Sequence, residues 1–200
     1  MKSKTKKQRY GEIVSADDKG FNSCVIELAE NYLNDFPDSQ GAWLMYSFAF
    51  YRTDRFKEAK KALIRAMNLT KESDDNFSWL LCRMGRIYED SGNFNKAIEW
   101  YKKAQSSNPS EATFFIYQGV MLLRKEFYDE AAEIFLKATK CKKGCFDEAF
   151  YNLGVVLIAQ RKYQRAVQCF EKALEIDPKY KEAKQQLKDV KKVLEILKNN

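Results

Sequence analysis

An all-α chain of stacked antiparallel helix pairs is the fold this sequence predicts: a right-handed α-solenoid closed by a C-terminal capping helix. Three observations predict it. Gly85, Gly119 and Gly154 are spaced by 34 and 35 residues. Each lies 12 residues before an alanine (Ala97, Ala131, Ala166), followed four residues on by a large side chain (Tyr101, Phe135, Phe170) and seven on by a second alanine (Ala104, Ala138, Ala173). Apolar residues also recur at i, i+3, i+4 and i+7 in both arms of each unit, the pattern of two amphipathic helices. Ser47, Ala59, Leu63 and Ala66 trace a fourth copy at the same offsets.

A fixed period of this length marks a repeat architecture. A small residue where two helices cross lets their axes approach, and the large residue fills the space beside it. Pro109 and Pro178 follow the second helix at one offset and stop it, because proline cannot continue the hydrogen-bond ladder. One pair cannot bury its apolar face alone, whereas stacked neighbours can.

These motifs resemble the tetratricopeptide repeat family, whose pattern reads W-x2-L-G-x2-Y, then A-x3-F-x2-A, then P. "FYNLGVVL" with "AVQCFEKALEIDP" and "LCRMGRIY" with "AIEWYKKAQSSNP" match closely. "FIYQGVML" with "AAEIFLKATKCKK" has Lys143 at the proline place. "WLMYSFAF" with "AKKALIRAMNLTK" has Ser47 for glycine and Lys71 for proline.

In chain order, residues 1–20 are expected to be a basic, disordered or poorly ordered arm, with Lys6–Gly20 as a poorly formed first helix the alternative, and 21–39 a degenerate half repeat ending at Pro37. Four repeats fill 40–178, at about 40–73, 78–111, 112–145 and 147–180. Two insertions, Asn68–Phe77 and Cys141–Cys145, are expected to bulge from the surface. Residues 181–200 form the cap, along which Ala183, Leu187, Val190, Leu194 and Leu197 step by four and three. That stripe also permits dimerisation through a short coiled-coil seam, although a monomer is expected.

Composition excludes several classes. No stretch is long and apolar enough to cross a membrane, and the basic start lacks the apolar core of a secretory signal. Five scattered cysteines suit a reducing, cytosolic setting. The formal charge of +7 is uneven. Residues 1–9 carry five bases and no acid, and 179–200 carry seven lysines against three acids, so residues 10–178 are slightly acidic.

There is no histidine, which removes the commonest general base and metal ligand. No phosphate-cradling glycine loop is present. No enzyme, cofactor or metal is expected. In Cys141-Lys-Lys-Gly-Cys145 the lysines could lower a thiol pKa, but free thiols near solvent are the plainer reading.

The resemblance implies a partner peptide or amphipathic helix in a groove lined by the first helix of each pair. By position that groove takes Leu44, Phe48, Tyr51 and Arg52, then Trp79, Cys82, Arg83, Arg86 and Glu89. Further along it takes Ile116, Val120, Leu123 and Arg124, then Glu148, Tyr151, Val155 and Ile158. One branch of the family grips the terminal carboxylate of heat-shock chaperones with a Lys, two Asn, a Lys and an Arg. The matching places hold Leu44, Phe48, Arg83, Thr113 and Tyr117 or, one unit on, Cys82, Arg86, Tyr117, Glu148 and Asn152. Neither set makes that clamp. An apolar, aromatic groove with an arginine cluster remains, and it suits an adaptor or scaffold holding an apolar peptide or helix of another protein. Trp79, Tyr51 and Tyr151 would be its anchors. A secretion-type chaperone for an apolar client is a second reading. A third is nucleic-acid or anionic-membrane association through the basic ends.

Overall fold

The computed structural model describes residues 4–199. All regular structure among them is helical except one isolated parallel bridge, Glu111–Lys143. The chain divides into two compact units, residues 1–93 and 94–200.

The first unit holds α1 (Lys6–Asp18), α2 (Asn22–Asp35), α3 (Gln40–Arg52), α4 (Phe56–Asn68) and α5 (Phe77–Asp90). Successive helices pack on one another, and α1 also reaches α3. The arm expected to be poorly ordered is therefore mostly helix; only residues 1–3 of it lie outside the described residues. A capping box starts α1. The Thr5 hydroxyl accepts the Gln8 N–H at 3.3 Å, and the Gln8 side chain accepts the Thr5 N–H at 2.9 Å, satisfying two otherwise orphaned donors. Ile13 and Ala16 are buried against Val25, Ala29 and Tyr32 of α2. Tyr10 packs on the bare backbone of Gly41 in α3. Residues 21–39 are thus not half a repeat, because α2 has a complete partner.

The second unit holds α6 (Phe94–Ser107), α7 (Ala112–Arg124), α8 (Tyr128–Ala138), α9 (Phe146–Ala159), α10 (Tyr163–Ile176) and α11 (Lys181–Lys198). Each helix packs on the next, and α7 also meets α9. The last helix buries Ala183 and Val190, while Ile196 and Leu197 near its end are exposed.

One turn recurs in both units. Gly20, Asp54, Gly92, Glu126 and Arg161 all have positive φ, between 57° and 78°. The residue after each donates its N–H to a carbonyl five residues back: Phe21 to Ala16, Arg55 to Phe50, Asn93 to Tyr88, Phe127 to Leu122 and Lys162 to Leu157, all at 2.8–3.0 Å. This is the Schellman ending, which needs a left-handed residue just past the helix. Glycine meets the need freely at two of the five positions. An aspartate, a glutamate and an arginine hold it at the others against a cost of about 1–2 kcal/mol each.

The helix crossings show why small and large residues alternate. A Cβ on Gly119 would lie 2.5 Å from Phe135 Cε1, and one on Gly154 would lie 2.7 Å from Phe170 Cε1. Both rings are fully buried, and burying a ring of this size stabilises the fold by about 1.5–3 kcal/mol. In α3–α4 the small place is Ser47, buried, with Oγ donating to the Ala59 carbonyl at 3.0 Å. The ring place there holds the smaller Leu63. In α1–α2 the sizes are exchanged: Ile13 stands at the glycine register and Ala29 at the ring register, both fully buried.

The two insertions behave differently. Residues 69–76 form an exposed loop between α4 and α5. The Cys141–Cys145 segment does not bulge. Lys142 and Lys143 donate their N–H groups to the Ser110 carbonyl at 3.1 and 3.0 Å, and Ala112 N–H donates to the Lys143 carbonyl at 2.9 Å. Gly144 turns at φ 108° against the Glu111 carboxylate, where a side chain would collide. Paired backbone groups favour this packed arrangement over a solvated loop.

Candidate functional site

In the first unit, α3, α5 and the α1–α2 turn bring three arginines together. At 100° per residue, Leu44, Phe48, Tyr51 and Arg52 fall on one side of α3. The Arg83 guanidinium lies over the Phe48 ring, 3.7 Å from its centroid. Partial desolvation, and then the charges of Arg52 and Arg86, press the Arg83 pKa downward, although a guanidinium stays protonated. Arg52 is held by Asp17 at 2.6 Å and by the Asn22 side-chain oxygen at 3.4 Å. The Tyr51 hydroxyl donates to Asp90. Burial and this hydrogen bond raise the Tyr51 pKa, and Arg86 opposes them. Trp79 is 40% exposed.

Cys82 and Ile116 do not line a surface: they are 3% and 0% exposed. Both sit on helices that are buried on more than one side, so a face drawn from repeat position alone is too wide. Leu44, Phe48, Tyr51, Val120, Tyr151, Val155 and Ile158 are half-buried, while Arg52, Arg83, Arg86 and Arg124 are exposed. Asp17, Asn22 and Asp90 escape sequence reasoning, Asp17 because it lies in the supposed arm and Asn22 because it lies in the supposed half repeat. Gly20, 34 residues before Asp54, is the signal that places them beside a regular turn.

The second unit presents a different chemistry. The Tyr151 ring lies 5.0 Å from Tyr180 and 5.9 Å from Phe170. Burial, then the neighbouring Asp147, raise the Glu148 pKa. Burial and nearby carboxylates, Glu148 first, push the Tyr180 hydroxyl well above its ordinary range. Arg124 lies 5.9 Å from the Phe94 ring. Of the residues at the chaperone-clamp places, Thr113 donates its hydroxyl to Glu111 at 2.6 Å and Tyr117 packs 5.5 Å from Tyr101.

The lysines beside Cys141 and Cys145 do not activate them. Burial, then Glu111, raise the Cys141 thiol; burial, then Glu148, Asp147 and Glu111, raise Cys145. Carboxylates disfavour a thiolate, so the pair lacks the electropositive setting of a reactive thiol. The basic start is also partly engaged. Arg9 bonds Asp35 at 2.6 Å and the Asn31 carbonyl at 2.8 Å, Lys6 lies 4.7 Å over the Phe36 ring, and Lys4 pairs with Glu12 at 2.6 Å.

Comparison with known proteins places this geometry in a family. Human tetratricopeptide repeat protein 7A is 32% identical over 135 residues, 68% of this chain and 15% of its own length. Subunit 6 of the anaphase-promoting complex from Arabidopsis thaliana is 26% identical over 81% of this chain and 29% of its own. The chain therefore spans well under a third of the curated relatives it matches first. Among solved structures, MamA superposes with a TM-score of 0.71 at 18% identity, covering 88% of this chain and 95% of that one. The first TPR of Spaghetti (RPAP3), bound to the HSP90 peptide SRMEEVD, gives a TM-score of 0.57 at 21% identity over 60% of this chain and 95% of that one. At these identities the structural likenesses establish the fold alone. The model of the tetratricopeptide repeat protein 21 C-terminal ARM domain matches residues 2–193, and with helix pairs, crossings and turns of the kind described above, the chain belongs to that family of tetratricopeptide repeat proteins.

Proposed function

We propose that this protein is a non-enzymatic interaction scaffold, working in the cytosol, whose first unit holds a peptide or amphipathic helix of another protein. The observation that carries this reading is the Arg83 guanidinium stacked on Phe48 with Arg52 and Arg86 as neighbours. A carboxylate on the partner would meet guanidinium donors, which suit bidentate recognition. An apolar side chain beside it would meet Phe48, Tyr51 and Trp79. Aromatic and arginine side chains dominate binding energy at such surfaces. The peptide held by the Spaghetti (RPAP3) domain supports this use of the fold.

Capture from native lysate by wild type and by a Trp79→Ala, Arg86→Ala double variant tests it, once circular dichroism establishes equal helicity. The expected result is a partner held by wild type and lost by the variant. Equal capture by both would remove the arginine cluster from the binding surface.

A further inference from the structure

We propose that a cleft between α3 and α4 is a second docking site, separate from the arginine cluster, and that its occupant is a short amphipathic helix of another protein with an apolar face and an acidic flank. The floor is an aromatic ladder on α3. Trp43 and Tyr46 rings lie 6.0 Å apart, and Tyr46 and Phe50 rings 4.4 Å apart. At 100° per residue these three lie about 140–160° around α3 from Phe48 and about 80–140° from Tyr51. The cleft holds about 610 Å³, within the ~300–1,000 Å³ usual for binding clefts. On its α4 wall Ile64 is 46% exposed, which leaves an aliphatic side chain open to a partner beside the aromatic floor.

The charges around the cleft choose the occupant. Arg55 is already committed: it donates twice to Glu58, at 3.0 and 2.9 Å, and stacks 4.4 Å over Phe50. Lys61 and Arg65, one helical turn apart on α4, line the same wall, and neither is in a salt bridge among the described residues. Glu30 acts on Tyr46 from the α2 side. The cationic edge is thus the α4 edge, and it complements carboxylates on one flank of a helix whose apolar face rests on Trp43, Tyr46 and Phe50. The exposed apolar helix of this chain, α11, has the wrong sign for that place, since Lys188, Lys191, Lys192 and Lys198 accompany its apolar residues. A second copy docking through α11 would set lysines against Lys61 and Arg65.

The repeat supplies an internal control. At the register of Tyr46 and Phe50 the second unit has Leu153 and Leu157 in place of aromatic rings, and the cleft those leucines line, about 310 Å³, is a different one, walled chiefly by α8 through Asp129, Ala132, Glu133 and Leu136. Its polar rim is closed on itself: Gln160 donates to Asp129 at 2.8 Å, and Lys162 donates to Gln160 at 2.9 Å. The counterpart of Arg65 is Lys172, which lies 5.3 Å over the Phe150 ring, the counterpart of Trp43. An open aromatic cleft with uncommitted cations is therefore a property of these residues and not of every helix pair.

Two synthetic helical peptides test the proposal, alike in a leucine face and differing in a glutamate or a lysine flank. Trp79→Phe and Trp100→Phe leave Trp43 as the sole tryptophan, and its fluorescence reports binding. The glutamate peptide is expected to bind about tenfold more tightly than the lysine peptide. Lys61→Glu with Arg65→Glu should invert that preference. Ile64→Asp should weaken both peptides, and Arg83→Ala should change neither. Equal binding of the two peptides, a preference unmoved by the charge reversal, or loss of binding in Arg83→Ala would overturn the proposal. So would a concentration-dependent dimer in sedimentation that Ile64→Asp abolishes, which would assign the cleft to a second copy.

Discussion

The α1–α2 pair and the α7–α8 pair use the same turn, yet they fill the space between their helices in opposite ways. In α7–α8 a bare backbone at Gly119 receives the Phe135 ring. In α1–α2 the first helix brings the bulk, with Ile13, and the second supplies the small residue, Ala29; both are fully buried. Between these extremes, α3–α4 splits the volume between Ser47 and Leu63. What the helix pair needs at its crossing is a total volume, and which helix delivers it is free. Cores tolerate redistribution of this kind when volume is kept.

Removing the ring gives the largest expected effect. Phe135→Ala should cost about 3–5 kcal/mol, read from chemical denaturation. Adding Gly119→Ile to it copies the first pair, and should recover at least about 1 kcal/mol. A double variant no better than Phe135→Ala alone would mean that the pairs differ in helix spacing and that their volumes are not exchangeable. At the shared turn, Gly92→Ala should cost about 1 kcal/mol, because it forces an L-residue to φ 78°. In α3–α4, Ser47→Ala deletes the bond to the Ala59 carbonyl and should cost about 1 kcal/mol. The smallest effect has the opposite sign. Arg161→Gly relieves about 1–2 kcal/mol of left-handed strain, while glycine's freedom in the unfolded chain takes back about 0.5–1 kcal/mol. A rise in midpoint corresponding to about 0.5–1 kcal/mol is expected, and no rise would show that the turn is unstrained at that position.

The same comparison explains what could be read in advance. The pairs with glycine, alanine and proline at fixed offsets announce themselves, because close approach leaves few residue types free. The first pair hides because Ile13 and Ala29 reverse the expected sizes. Two marks survive: Pro37 stands 24 residues after Ile13, as Pro178 does after Gly154, and Gly20 stands seven after Ile13, as Gly92 does after Gly85. The candidate site was legible only as a list of inner-helix positions. Repeat position gives a direction from the helix axis. It does not tell that Cys82 and Ile116 are sealed or that Arg52 is tied to Asp17. Those depend on what packs against each helix, for Arg52 the α1–α2 turn that brings Asp17 and Asn22 to it.

The exchanged sizes also bear on how such a chain can be rearranged by recombination. A crossover inside the tight turn would join the first helix of one pair to the second helix of another. Joining α1 to α8 would set Ile13 against the Phe135 ring, too much volume for one crossing; joining α7 to α2 would set Gly119 against Ala29 and leave a void. Either product inherits a faulty seam. The smallest segment that can be copied, moved or duplicated without damage is therefore the whole helix pair.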